Sequence, residues 1–425
     1  MVFKIILIPV ALLFFSCTST PIPKNGPHTI PEDFFGMVHA GETGTVEEYT
    51  LLDEMGVKWL LLTFYWSRIE SQRGVFNFSR YDAFVDTAKQ NNMKVVAVLA
   101  YQAHWLYPEG NSKRYIAPEN ISLFLNYVEK TVGHFHGRVD AWEIWNEPNN
   151  FSWKGSRKEF IELTRVTALK IKETEPESYV IGGAFWRAPG SYIKNMHRAG
   201  ALENLDGLAF HPYALNPSAV MKVHDSFNKT LSEIGYKGEV WITEMGYPTG
   251  GINPIRVSHD NFPSWVVKNI SGAAVRGPRV LIWYELYDTY NKGEVRSRKW
   301  DSEQLFGLVY PDNERKDAAW AYELCARYLP GSGYAPDFLQ REGMPQNIIS
   351  YCFLGGVTGN NTLIIWNDNR RIFKARLFLP AQALDHDIST GQHTLLPPEI
   401  VLEIGKQPLF FTWKGEGIPY MLPYQ

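Results

Sequence analysis

The sequence predicts an α/β protein, a (β/α)8 TIM barrel followed by a small C-terminal β-sandwich. Three observations lead there. Short β-rich apolar runs alternate with amphipathic helical stretches from residue 34 onward; the alternation yields eight strands over roughly 300 residues; and beyond Pro330 the strands follow one another with turn signals and no helices between them.

The first strand candidate is F-F-G-M-V-H (34–39), followed by a helix over V-E-E-Y-T-L-L-D-E-M (46–55) that Gly56 closes. V-K-W-L-L-L-T-F (57–64) leads to a helix begun by Ser79, and M-K-V-V-A-V-L-A (93–100) and V-D-A-W-E-I-W (139–145) follow. A helix over 156–174 has Ser156 as its cap. The remaining barrel strands are Y-V-I-G-G (179–183), L-D-G-L-A-F (205–210), E-V-W-I-T-E (239–244) and R-V-L-I-W-Y-E (279–285). Most are continuous apolar runs, as expected of a parallel sheet covered on both faces. A doubly wound open sheet would carry a glycine-rich phosphate turn after its first strand, and none follows His39. In the C-terminal part, strands are expected at 348–354, 362–367, 374–379 and 408–413.

Ahead of the barrel, Lys4 precedes an apolar run from Ile5 to Phe15, then Ser16-Cys17. The run is far short of the roughly 20 residues that span a bilayer but suits the core of a signal peptide. A small residue directly before Cys17 resembles the processing site of bacterial lipoproteins, although Phe14 stands where such sites usually carry Leu. The expected organisation is a signal peptide with lipidated Cys17 (1–17), a flexible tether (18–30), a catalytic barrel (31–330) and a β-sandwich (331–425). The expected location is the bacterial cell envelope, with the membrane engaged through the lipid anchor.

With 45% hydrophobic and 20% charged residues and a net charge of −3, the composition offers no electrostatic basis for binding nucleic acid. Aromatic residues make up 14% of the chain, 14 of them Trp, which is compatible with stacking on sugar rings. Cys325 and Cys352 stand at no metal-binding spacing, and the sequence leaves open whether they pair. Oligomeric state is not readable.

Chemistry in such barrels sits where strands end and β/α loops begin. Two carboxylates stand there: Glu147 after the fourth strand in W-E-I-W-N-E-P-N (142–149), and Glu244 at the end of the seventh in W-I-T-E-M-G (241–246). Cleaving a glycosidic bond requires an acid for the leaving oxygen and a carboxylate on the opposite face of the sugar. Glu143, inside its strand, reads as structural. Neither protonation nor carboxylate attack needs a cofactor, and no metal is expected.

The segment W-E-I-W-N-E-P-N resembles the acid/base segment of clan A glycoside hydrolases, particularly family 39. The likeness extends to G-V-K-W-L-L-L-T-F-Y-W-S-R-I-E (56–70), A-F-H-P-Y (209–213), W-I-T-E-M-G-Y-P-T, W-Y-E-L-Y-D (283–288) and F-G-L-V-Y-P-D (306–312). The resemblance implies a retaining β-glycosidase acting on an extracellular polysaccharide or oligosaccharide, with Glu147 as acid/base and Glu244 as nucleophile about 5–5.5 Å apart. It further implies that Asn146 binds the sugar 2-hydroxyl, that His211 and Tyr213 orient Glu244, and that Trp283 is the platform under the sugar. His39 and Trp105, at the ends of strands one and three, are expected to line the site. One departure stands out: Leu61 occupies the strand-two position where these enzymes usually carry an arginine that bonds the nucleophile. Loss of that cation should raise the nucleophile's pKa. Leu61 also motivates the alternative of a catalytically silent glycan-binding barrel on the cell surface. A metal-dependent barrel hydrolase would need a His/Asp ligand set at strand ends, which the sequence does not display.

Overall fold

The computed structural model describes residues 28–39, 44–107, 114–290, 302–369, 371–380 and 382–424. Eight parallel strands close into a barrel in sequential order: β1 Phe35–Val38, β2 Trp59–Tyr65, β3 Lys94–Ala100, β4 Ala141–Ile144, β5 Val180–Trp186, β6 Gly207–His211, β7 Glu239–Met245 and β8 Val280–Trp283. Around them lie α1 Val46–Glu54, α2 Trp66–Ile69, α3 Ser79–Gln90, α4 Ile121–His134, α5 Arg157–Thr174, α6 Gly190–Arg198, α7 Pro217–Ile234, α8 Phe262–Ala274 and α9 Asp317–Tyr328. The strands are apolar throughout because one face fills the barrel and the other packs on helices. Val95 to Ala100 of β3, for example, are essentially inaccessible to solvent.

Local signals set the helix ends. The Ser156 side chain accepts from the Glu159 amide while the Glu159 carboxylate accepts from Ser156, a complete capping box for α5. At the bottom of the barrel, Asp33 accepts from both Arg279 guanidinium nitrogens (2.5 and 2.8 Å) and from Lys94 Nζ (2.7 Å). That cluster ties the approach to β1 to the starts of β3 and β8.

Beyond α9, ten strands form two sheets. They are β9 Ser332–Tyr334, β10 Gln340–Arg341, β11 Ile348–Gly355, β12 Asn361–Asn367, β13 Phe373–Phe378, β14 Leu384–His386, β15 His393–Leu395, β16 Glu399–Ile404, β17 Leu409–Trp413 and β18 Tyr420–Pro423. One sheet runs β15-β14-β17-β12-β11-β9 and the other β10-β18-β13-β16. Leu363, Ile365, Phe411 and Trp413 of the first meet Ala375, Leu377, Leu402 and Met421 of the second in one sandwich core. The alternate residues of the six-stranded sheet, among them Tyr351, Phe353, Ile364, Trp366 and Phe410, join the barrel's core instead. That sheet is therefore covered on both faces, and barrel and sandwich share buried surface.

Two details differ from the sequence reading. Residues 28–30, read as the end of a tether, are built into the fold: Ile30 is buried, its amide donates to the Ser332 carbonyl (2.8 Å), and Tyr334 donates to the His28 carbonyl. Six of these strands, β9, β10, β14, β15, β16 and β18, were not anticipated; in β16 the exposed Glu399 and Glu403 interrupt the apolar pattern. Cys325 and Cys352 are buried free thiols. Among the described residues no helix is long and apolar enough to cross a membrane. Cys17 and the signal-like segment lie outside the described residues.

Candidate active site

A cavity of about 870 Å³ opens at the carboxyl ends of the barrel strands. Its chemistry is organised by the loop after β4. The amide of Trp145 donates to the Leu99 carbonyl and that of Glu147 to the Ala184 carbonyl, which anchors the loop to both neighbouring strands. The buried Trp145 indole donates to the Ser152 carbonyl (2.9 Å), and the Ser152 hydroxyl points at the carbonyls of Asn146 and Glu147. Trp145, Glu147, Ala184 and Arg187 all have positive φ, between 42° and 66°. Non-glycine residues adopt this region at a cost, and such strain concentrates at functional sites.

Across the cavity, Glu244 projects from β7. Gly246 two residues on is obligatory, since a Cβ there would lie 1.7 Å from the Tyr284 carbonyl oxygen. His211, at the end of β6, stands between the carboxylates. Its Nδ1 lies 3.0 Å from Glu147 Oε1 and 3.1 Å from Glu244 Oε2. Tyr213 donates its hydroxyl to Glu244 Oε1 (3.1 Å), and Asn150 donates to Glu147 Oε2 (2.8 Å). Behind His211, Nε2 meets the Thr243 hydroxyl (3.2 Å), which lies 2.7 Å from Glu143 Oε1. With the imidazole in its cationic form, Nδ1–H faces the two carboxylates and Nε2–H faces the Thr243 hydroxyl.

Burial disfavours the His211 cation, but Glu244, Glu147 and Glu143 outweigh it and push the imidazole up to about 9. Burial also opposes ionisation of Glu147, yet the bonds from His211 and Asn150 hold its carboxyl below the ordinary range. Glu244 is pushed up to about 7, chiefly by burial and then by the Glu147 charge, with His211 and Tyr213 opposing. Glu143, fully enclosed, is likewise raised to about 7 by burial. Leu61 lines the cavity where an arginine was expected; the cation beside Glu244 comes from His211 instead, and the raised Glu244 carboxyl is what loss of a guanidinium predicts.

The structure thus brings Asn146, Glu147, His211, Tyr213 and Glu244 to one cavity. Three expected residues lie elsewhere. Trp283 is fully buried and packs on Phe262 and Tyr322 in the helical layer. Successive strand residues point to opposite sides, so Tyr284, not Trp283, lines the mouth. Trp105 lies on a turn, its indole donating to the Glu70 carbonyl and its ring packed on Trp66. His39 is held by Glu48 (2.9 Å) and borders a smaller neighbouring cavity that also contains Arg68, Arg80 and Glu285. Glu143 and Thr243 were missed as site residues, although Glu143 shares Glu147's parity along the chain. Tyr101, which accepts from Asn146 Nδ2 (3.3 Å), sits in a loop without a signal. Glu147, His211 and Glu244 also offer three potential ligand atoms within 4.8 Å of one another, a set that the sequence did not disclose.

Residues 49–222 match the model for glycosyl hydrolases family 39. The "Endo-1,4-beta-xylanase B" of Thermotoga neapolitana is 27% identical over 209 residues, 44% of this chain and 57% of that protein. The chain therefore spans little more than half the length of this curated relative. Among solved structures, a family 39 glycoside hydrolase from the gut symbiont Bacteroides cellulosilyticus WH2 superposes with a TM-score of 0.74 at 19% identity, covering 91% of this chain and 81% of that one. A monomeric β-xylosidase from Caulobacter crescentus CB15 gives 0.62 at 14% identity, covering 89% and 95%. By sequence over residues 49–222 and by fold over most of its length, the chain is a (β/α)8 barrel similar to the family 39 glycosyl hydrolases.

Proposed function

We propose that the protein is a retaining β-glycosidase that cleaves an extracellular polysaccharide or oligosaccharide by double displacement. The observation that carries this reading is the facing pair Glu147 and Glu244, both held on His211 Nδ1 and with oxygens within 4.8 Å. That separation favours direct attack over a water-mediated inversion, which needs carboxyl groups about 6.5–9.5 Å apart.

In the first step the Glu147 carboxylic acid gives its proton to the glycosidic oxygen as that C–O bond breaks. Glu244 attacks the anomeric carbon and forms a glycosyl ester. In the second step the Glu147 carboxylate takes a proton from water, the water oxygen bonds to the anomeric carbon, and Glu244 leaves. Asn146 contributes a hydrogen bond to the 2-hydroxyl that strengthens as positive charge develops. Burial and the Glu147 charge favour the proton on Glu244 in the free protein, whereas the first step needs it on Glu147. His211, 3.0 and 3.1 Å from the two, offers the path for that transfer.

The family 39 match and the xylanase and xylosidase relatives support a β-linked substrate. For the cellular setting, the apolar run ending at Ser16-Cys17 supports a lipid-anchored envelope protein. Turnover of an aryl β-glycoside, with the first product released in the β configuration, tests the reading; α product would contradict retention. The Glu147–His211–Glu244 ligand set favours a second reading, hydrolysis assisted by a bound metal. Activity abolished by a chelator and restored by a divalent cation would support it, and activity indifferent to chelation would remove it.

A further inference from the structure

We infer that the half of the cleft receiving the leaving group takes a sugar that carries an anionic substituent, gripped by Arg187 and Arg114. The inference rests on the reading of Glu147 as the acid, because the leaving sugar lies on the acid's side of the scissile bond.

Both arginines line the catalytic cavity. Arg187, directly after β5, is fixed on three sides. Its amide donates to the His211 carbonyl (2.9 Å), its Nε donates to the Tyr213 carbonyl (2.8 Å), and its guanidinium lies 4.3 Å from the centre of the Trp186 ring. Trp186 is itself locked to the acid loop by reciprocal bonds with Asn149, two residues beyond Glu147. Arg114 reaches the other flank of that loop. Its guanidinium sits 4.9 Å above the ring of Tyr101, and Tyr101 accepts from Asn146, the residue before Glu147. Each cation is thus one aromatic ring away from the acid segment.

Among the described residues, no carboxylate lies within ion-pair distance of either guanidinium. Arg138, Arg165, Arg276, Arg279 and Arg315, away from the cleft, all have one. Beside the two arginines the cavity has Glu147 and the enclosed Glu143 of the β4 segment, whereas Glu244 and Glu303 stand on the opposite side, at β7 and after β8. Both arginines of the cavity thus lie beside the β3–β5 loops, and the side beyond the cleavage point has carboxylates but no arginine. A guanidinium stacked on an aromatic face is weakly hydrated and presents a planar fork that matches a carboxylate or a sulfate. A neutral sugar requires only uncharged donors and acceptors, and two guanidinium groups without a carboxylate partner go beyond that need.

The test compares leaving sugars that differ only at C6, each β-linked to the same donor sugar, chosen by first screening 4-nitrophenyl β-glycosides. The three leaving sugars are glucose, glucuronate and glucose 6-sulfate. We expect kcat/KM to be roughly tenfold or more higher for an anionic leaving sugar than for glucose at low salt, since charge-assisted bonds exceed neutral ones. The ratio should collapse toward unity in Arg114→Met and fall in Arg187→Lys, which keeps charge but loses the fork. Preference for glucuronate alone identifies a uronic acid residue, and preference for the sulfate alone identifies a sulfated glycan. Calorimetric binding of free glucuronate and glucose 6-sulfate against glucose, in wild type and Arg114→Met, reads the same site without turnover. Cleavage of aryl glycosides with equal use and equal binding of the charged and neutral sugars overturns this inference while leaving the proposed function standing. Preferential binding of the anionic sugars without any glycoside turnover supports the anion site but overturns the proposed function.

Discussion

Glu147 and Glu244 bring carboxylate oxygens within 4.8 Å of each other from strands three places apart around the barrel. At that distance two full negative charges repel strongly, so the pair titrates in two separated steps. The first proton leaves below the ordinary carboxylate range and the second near pH 7. Double displacement needs the form with one proton, an acid for the leaving oxygen and a carboxylate for attack.

The pH profile follows. kcat/KM should fall on the acid side as Glu147 and Glu244 both become protonated, and on the alkaline side near pH 7 as the pair loses its last proton. Initial rates on an aryl β-glycoside across pH 3–10 measure this; a flat profile from pH 5 to 9 would contradict it.

His211 lowers the pKa of both glutamates by its charge. His211→Asn removes that cation, so the alkaline limb should move to higher pH, and kcat/KM should drop by roughly 10²-fold as orientation is lost. An unmoved limb would show that the imidazole is uncharged in the working enzyme.

Trp283 should matter for stability. Truncating it to Ala empties a fully buried indole site between β8, α8 and α9 and should cost about 3–5 kcal/mol in chemical denaturation. Tyr284→Ala, at the mouth, should instead weaken kcat/KM. The reverse pattern would restore Trp283 as the sugar platform.

Asp33 supports the bottom of the barrel. Burial works against its charge, but Arg279 and Lys94 outweigh burial and hold its carboxyl at about 2, against 3.8 unperturbed. A depressed folded pKa contributes stability that is present above the unfolded value and lost as pH falls through about 2. The shift corresponds to roughly 2 kcal/mol. Asp33→Asn should therefore lower stability at pH 7 by about that amount, with the difference from wild type vanishing in strong acid.

Much of this was legible in the sequence. Continuous apolar strands and the Ser156 cap announce the barrel, because burial on both faces and capping leave strong local patterns. N-E-P at the end of one strand and T-E at the end of another announce the carboxylates. What the sequence hides is orientation. A one-residue change of facing separates Tyr284 from Trp283 and turns Glu143 inward, and an apolar run carries no alternation to reveal it. His39 was drawn to Glu48 on the first helix, a contact between segments that no local motif encodes. Tyr101, Arg114 and Arg187 come from loops, whose path is set by the strands that they join.

The most direct test of the central claim is the configuration of the azide products formed by Glu244→Ala and Glu147→Ala from an aryl β-glycoside with an acidic leaving group. Without Glu244, azide entering the vacated space should attack from the nucleophile's face and give the inverted glycosyl azide. Without Glu147, the glycosyl ester on Glu244 should accumulate, and azide should release it as the retained glycosyl azide. Opposite configurations from the two variants are the predicted result. The same configuration from both, or wild-type turnover in either, would contradict the assignment of Glu244 as nucleophile and Glu147 as acid/base.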